Sequence, residues 1–296
     1  MNATNDQPEL THLIALLDDP DDAVALVVWD RLMDMGLPVA GMLRKVLHKS
    51  NNRTLTHRLA RLISDMEMDH SYEALYAWSR ERDPNMLKGL CLILRLVCPD
   101  LSFEYIFDAV FDISKEAWIE LSDQKTTIEQ IHLFNHIFYH RVGFRVDDPF
   151  LMDPNMAFLD KAIETKRANP VLFGLLYLAA ANQAGIPITA VAFPGGFLPA
   201  CTHADGRISF YINICQYGEI FGKEQLLGIF HNFGISMSEE QFFTCDTPAL
   251  AAIYAESLYF IAGNTGDNDM ERRMEKVLKL FGDKRILLLE LEEEDG

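Results

Sequence analysis

The stretch from Asn169 to Pro187 constrains the fold of this chain more than any other. Asn169-Pro170 is followed by Val171-Leu172-Phe173-Gly174-Leu175-Leu176-Tyr177-Leu178-Ala179-Ala180-Ala181, a run without a single charge. An Asn before a Pro opens a helix. Its amide oxygen takes an orphan backbone N–H, and the proline lacks the N–H that the first turn would leave unpaired. Gly185 and Pro187 stop the same helix. A helix is therefore predicted from Pro170 to about Ala184.

Beyond Pro187 the chain reads as extended. Ile188 to Phe193, Phe197 to Thr202 and Ile208 to Ile214 are short and rich in β-branched and aromatic residues. Phe193-Pro194-Gly195-Gly196-Phe197 makes a tight bend between the first two, and Ala204-Asp205-Gly206 supplies a hairpin turn between the last two. These predict a small antiparallel sheet over 188–214 packed on the 170–184 helix. The Gly195-Gly196 pair lacks a following Gly-Lys-Ser/Thr and leads into a strand, which excludes a phosphate loop.

The rest is helical. From Glu9 to about Ser122 one amphipathic segment succeeds another. Leu10, Leu13, Ile14, Leu16 and Leu17 precede the turn Asp18-Asp19-Pro20-Asp21-Asp22, and Ala23, Leu26, Val27, Trp29 and Leu32 continue at helical spacing. Pro20 ends one helix, and Asp21 or Asp22 caps the next. This turn resembles the opening of a HEAT-type repeat, with weaker echoes over 54–79 and 83–97. Such a stack offers a concave binding surface; the alternative is a plain helical region packed on the core.

A further helix is predicted from Thr126 or Thr127 to His140, placing His132, His136 and His140 on one face at i, i+4 and i+8. Imidazoles one turn apart can hold a metal, but no acidic residue sits beside His132 as the zinc-helix motif requires, and packing and capping roles are expected instead. Asp147-Asp148-Pro149 and Asp153-Pro154-Asn155 are turn and cap chemistry, without the alternating oxygen ligands of a calcium loop. Met156, Leu159 and Ile163 stripe the helix after them. Lys223 to His231 reads as a short helix, and Ser236 with Glu239 as a capping box that starts another. Thr247 to about Ala262 and Asp269 to Phe281 form an antiparallel helical pair, and Glu290 to Asp295 a fraying acidic tail.

The formal charge of the 296 residues is −18, which repels phosphate backbones and speaks against nucleic acid as a partner. The local cations Arg53, Arg58 and Arg61, and Arg272-Arg273, have acids close by and read as solvated helix faces. Cys91, Cys98, Cys201, Cys215 and Cys245 are odd in number with no CxxC pair, so no disulfide framework is expected. The start MNATNDQPEL carries neither a basic segment nor an apolar run, and no apolar stretch reaches membrane-spanning length. The expectation is a cytoplasmic protein, with no membrane partner and no cofactor.

Three motifs in order, Asn-Pro-Val-Leu-Phe-Gly-Leu-Leu-Tyr-Leu, Gly185-Ile186-Pro187 and Phe193-Pro194-Gly195-Gly196-Phe197, resemble the core of the bacterial SirB-type transglutaminase-like family. There the stretches read roughly GNPISLxLLYL, GLP or GIP, PGHF and IDPF. The resemblance covers about residues 125–262. Together with the HEAT-like reading of the N-terminal helices it implies an α+β, mainly α, fold: a helical HEAT-like region over 1–122, a transglutaminase-like core over 123–246, and a C-terminal helical hairpin and tail over 247–296.

Acyl-transfer chemistry on that fold needs a thiolate at the start of a buried helix, a histidine base on a facing strand and an acid to orient it. Beside the helix-start motif Asn169-Pro170, Leu172 stands where the relatives carry Ser, Gly196 replaces the PGHF histidine, and Asn213 replaces the IDPF aspartate. The resemblance therefore implies a vacant site at Leu172, Gly196 and Asn213, and a non-catalytic scaffold or regulatory module that binds a protein or peptide. One alternative is a cysteine-dependent hydrolase using a relocated Cys201/His203 pair, with Cys215 across the hairpin. Another is a module whose helical surfaces hold a homo-oligomer.

Overall fold

A computed structural model describes residues 6–122, 124–146, 153–193, 195–203, 205–232 and 242–282. The chain divides into two compact units, Met1–Tyr76 and Ala77–Gly296.

The first unit is built of α1 (Asp6–Leu16), α2 (Asp22–Met35), α3 (Leu37–Lys49) and most of α4 (Arg53–Ser79). Asp21 caps α2 by accepting from the Ala23 N–H, and Gly36, at φ 66, ends α2 and leads into α3. The apolar stripes meet in one core that includes Leu10, Leu17, Val28, Leu32, Leu43, Leu59 and Leu62. Arg58 holds the acidic turn in place. Its guanidinium donates to the carbonyls of Leu17 (2.8 Å) and Asp19 (3.0 Å) and to the Asp22 carboxylate (2.9 Å). Arg61 lies over the Trp29 ring at 5.8 Å. These cations serve the fold as well as facing water.

The second unit starts with α5 (Met86–Arg95), α6 (Phe103–Glu120) and α7 (Thr127–Asn135), then a π-helical turn (His136–Arg141), β1 (Arg145–Val146) and a 3-10 turn (Pro154–Ala157). Next come α8 (Leu159–Thr165), β2 (Arg167–Ala168), α9 (Pro170–Gln183), β3 (Ile188–Phe193), β4 (Gly196–Thr202) and β5 (Ile208–Asn213). A 3-10 turn (Ile214–Gln216), β6 (Glu219–Phe221), α10 (Lys223–Asn232), β7 (Phe243–Thr244), α11 (Thr247–Thr265) and α12 (Asn268–Phe281) complete it.

The second unit is organised around α9. Leu172 through Leu178, with Ala180 and Ala181, are buried, as a helix without a polar face requires. The sheet, in antiparallel order β6-β5-β4-β3-β7, covers α9 through β3 and β4, while α6 and α11 cover other sides. The Ser114 hydroxyl on α6 donates to the Ala180 carbonyl of α9 at 3.0 Å and to its own helix at Val110. Helix α5 packs on α11, and α11 and α12 form a tight antiparallel hairpin capped by Asp267, which accepts from the Met270 N–H.

The mainly helical architecture with a small antiparallel sheet is the one expected. The structure adds details that the sequence pattern lacks. The helix expected over 127–140 turns π-helical at His136, with Val142 N–H bonding the Ile137 carbonyl in the i→i+5 manner. β6 and β7 widen the sheet, and β1 and β2 form a two-residue parallel pair on either side of α8. The helix expected around Met156 is a 3-10 turn followed by α8. The Ser236–Glu239 capping box, Asp147-Asp148-Pro149 and the tail from Glu290 to Asp295 lie outside the described residues. No helix among the described residues is long and apolar enough to cross a membrane.

Candidate functional site

At the start of α9 the Asn169 side-chain oxygen accepts from the Leu172 N–H at 2.8 Å, and its amide nitrogen donates to the Ser257 hydroxyl of α11 at 3.4 Å. Asn169 thus caps α9 and ties it to α11. The first turn after it, Pro170-Val171-Leu172-Phe173, presents no thiol or hydroxyl, and Leu172 is wholly buried.

The sheet reaches this helix through Gly174. A methyl group there would lie 2.8 Å from Phe197 Cζ and 3.0 Å from Ile214 Cδ1. Two side chains, one from the start of β4 and one just past β5, are therefore pressed against the first two turns of α9. Each belongs to the residue after a motif position: Phe197 follows Gly196, and Ile214 follows Asn213. Along β4 side chains alternate across the strand, so position 196 faces away from Phe197. A side chain at 196 would meet the Phe193 ring, 3.2 Å away, and that ring packs with Phe230 and Phe242. Tyr211, two residues before Asn213, packs with Phe221 and Phe242. The Asn213 side chain accepts from the Cys215 N–H at 3.1 Å and starts the 3-10 turn. The structure brings the start of α9, the start of β4 and the end of β5 together, but it gives α9 the side chains of Phe197 and Ile214 rather than positions 196 and 213.

Beside this contact lies a buried polar chain. Tyr177 of α9 donates its hydroxyl to Asn135 Oδ1 at 2.7 Å, and Asn135 Nδ2 donates to the Gly218 carbonyl at 2.9 Å. Tyr139 donates to the Ile214 carbonyl at 2.9 Å. Burial pushes both phenols up, so they remain protonated donors. The π-helical turn is thereby fastened to the 214–218 loop. At the surface of that loop Tyr217, held at φ 53, lies parallel to the His140 ring with centroids 5.9 Å apart, and His136 lies 5.5 Å from His140. Sequence reasoning passed over Asn135, although it is the one amide among Ile131, Phe134 and Phe138 on an apolar helical face. His132, His136 and His140 are all exposed. Among the described residues no group of three His, Cys, Asp or Glu side chains is placed to hold a metal ion.

This buried helix, with its sheet and the helices around it, corresponds to a known fold family. The model of the transglutaminase-like superfamily matches residues 105–252, half of the chain, from α6 into α11. The chain belongs to the transglutaminase-like superfamily. Among curated proteins it is similar to a UPF0162 protein of Vibrio cholerae, 25% identical over 141 residues, covering 48% of this chain and 52% of the relative. A UPF0162 protein of Xylella fastidiosa is 25% identical over 128 residues, covering 41% and 43%. One of Pasteurella multocida is 33% identical over 92 residues, covering 31% and 34%. The chain spans about half the length, or less, of these relatives. No solved structure matches it.

Within this transglutaminase-like core the cysteines are scattered. Cys201 is buried in β4 opposite Phe210, and a bulge between Cys201 and Thr202 breaks the alternation that would have put His203 on its face. His203 is exposed in the tight turn closed by its N–H to the Arg207 carbonyl. Cys215 is exposed in the 3-10 turn past the other end of β5, roughly 15 Å along the strand from the Cys201 partner Phe210. The structure does not bring Cys201, His203 and Cys215 into one group. Burial raises the Cys201 thiol, and burial pushes Cys91 up to about 12 against the weaker pull of Arg95. Cys98 is raised by burial and by Asp160, and Cys215 by desolvation.

Proposed function

We propose that this chain is a non-catalytic member of its superfamily, a SirB-type scaffold or regulatory module that works by binding a protein or peptide. The observation that carries the reading is the contact at Gly174: the side chains that reach the start of α9 from β4 and from the turn after β5 are Phe197 and Ile214, two hydrocarbons. A nucleophile, a base and an orienting acid are all replaced, by Leu172, Gly196 and Asn213. Acyl transfer needs these groups within hydrogen-bond reach of one another. With them gone, the core serves as a rigid body whose surfaces carry the function.

The cysteine-dependent alternative makes an opposite demand on thiol chemistry. A catalytic cysteine has a lowered pKa and is largely thiolate near neutral pH. A raised pKa reverses the sign: at pH 7 less thiolate is present than in free cysteine, and the alkylation rate climbs about tenfold per pH unit until the pKa is reached. Iodoacetamide labelling followed by peptide mass spectrometry is expected to modify Cys91, Cys98, Cys201 and Cys215 more slowly than glutathione at pH 7, all rising with pH. A thiol that reacts faster than glutathione at pH 7, with a flat rate from pH 6 to 8, would replace the scaffold reading with the hydrolase one.

A further inference from the structure

The end of α9 opposite the family site borders a cleft of about 840 Å³, lined by Trp118, Ile119, Leu121, Gln130, Gln183 and Gly185. Trp118 and Ile119, at the end of α6, are 69% and 66% exposed. Phe111, 52% exposed, lies two turns earlier on the same line of α6, and Ile128 of α7 is 45% exposed. The Trp78 ring, by contrast, is wholly buried. Trp118 and Ile119 share this cleft with Leu121, and exposed large apolar side chains gathered in one concavity mark an interaction surface.

The charge beside it selects the occupant. Glu104, Asp108, Asp112, Glu116 and Glu120 recur every fourth residue along α6, forming one acidic ridge next to the Phe111–Trp118 line. Like charges at i, i+4 weaken a helix, so the row works against the stability of α6. Arg141 pairs with its last two members, Glu116 at 3.2 Å and Glu120, and Lys115 is the one cation within α6 itself, leaving five acids against it. Glu104, Asp108 and Asp112 are exposed on the remaining length.

We infer that the α6 ridge and cleft dock a basic amphipathic helix of a partner protein, its apolar side in the Trp118–Ile119 cleft and its Lys and Arg side chains along Glu104, Asp108 and Asp112. Helix-in-groove recognition has this form, with apolar anchors for affinity and complementary charge for orientation and on-rate. A second copy of this chain fits poorly, because it brings the same acidic ridge and the same net charge of −18. The inference rests on the reading of the chain as a binding scaffold and names the chemistry of what it binds.

The test titrates the full chain with a synthetic amphipathic Leu–Lys helix of about fourteen residues, and with its Leu–Glu counterpart. Calorimetry and tryptophan emission follow binding. The Leu–Lys helix is expected to bind and the Leu–Glu helix is not. Trp118→Ala is expected to weaken binding by about tenfold or more, as loss of an aromatic anchor does. Asp108→Asn with Asp112→Asn, which leaves the cleft untouched, is expected to weaken it several-fold and to flatten its salt dependence. Equal affinity of wild type and Trp118→Ala, or binding of the Leu–Glu helix, would overturn the inference. So would a wild-type dimer in sedimentation that Trp118→Ala converts to monomer. Absence of peptide binding alongside slow thiol alkylation would sink this inference and leave the loss of acyl-transfer chemistry standing.

Discussion

Gly218→Ala is expected to destabilise the second unit by about 3 kcal/mol, with two causes that can be separated. Gly218 sits at φ 75, and an L side chain there costs about 1 kcal/mol or more. Its methyl group would also stand 2.3 Å from Asn135 Nδ2 and Oδ1. That amide cannot swing away, because it holds both the Tyr177 hydroxyl and the Gly218 carbonyl. Overpacking of this kind costs about 1–3 kcal/mol. Asn135→Ala alone leaves a buried hydroxyl and a buried carbonyl unpaired, at about 2–4 kcal/mol. The two substitutions share one space, so the double variant is expected to lose at least about 1 kcal/mol less than the sum of the single variants. Urea unfolding followed by fluorescence measures all three, and strictly additive losses would mean that Asn135 and Gly218 do not meet.

Gly174→Ala sets two effects of opposite sign against each other. In a helix interior, alanine is favoured over glycine by about 1 kcal/mol, so propensity alone predicts a more stable protein. Packing predicts the reverse, since the added methyl would lie 2.8 Å from Phe197 and 3.0 Å from Ile214, which are 7% and 4% exposed and have no room to retreat. With overpacking at about 1–3 kcal/mol set against that gain, the net expectation is a loss of up to about 2 kcal/mol, partly recovered when Phe197→Leu removes the crowding ring. A gain in stability from Gly174→Ala would show that the sheet does not press on α9 at this point. The reading of a filled site would fall with it.

Much of the fold was legible in the sequence because the decisive residues act locally. Asn169, Pro170, Gly185 and Pro187 each bias their own stretch of backbone, and the helix they bracket is α9 as found, Pro170–Gln183. The three strands between 188 and 214 are found within one residue of the sequence reading. The π-helical turn at His136 was not legible, because apolar spacing does not tell an i→i+5 turn from an α-helical one. Two-residue strands such as β1, β2 and β7 are too short to carry an alternation. Nor could the stripes of α5 and α6 reveal what they pack against: periodicity says that a face is buried but not by what. The candidate site depended on a one-residue distinction. The motifs identify Gly196 and Asn213, while the pleat of β4 and the 3-10 turn after β5 hand the inward direction to Phe197 and Ile214. Similarly, Cys201 and His203 are two residues apart in sequence, yet a bulge separates their faces.

The proposed scaffold role requires that the transglutaminase-like core perform no acyl transfer, and an acyl-donor assay on the full chain is its sharpest test. The protein is incubated with a glutamine-containing peptide and a primary amine, with amide exchange and hydrolysis read by mass spectrometry and the intact protein mass checked for a covalent acyl adduct. The expected result is product formation at the buffer rate and an unchanged protein mass. Turnover above buffer that disappears in Cys201→Ala or Cys215→Ala, or an acyl adduct mapped to any residue of the core, would contradict the account.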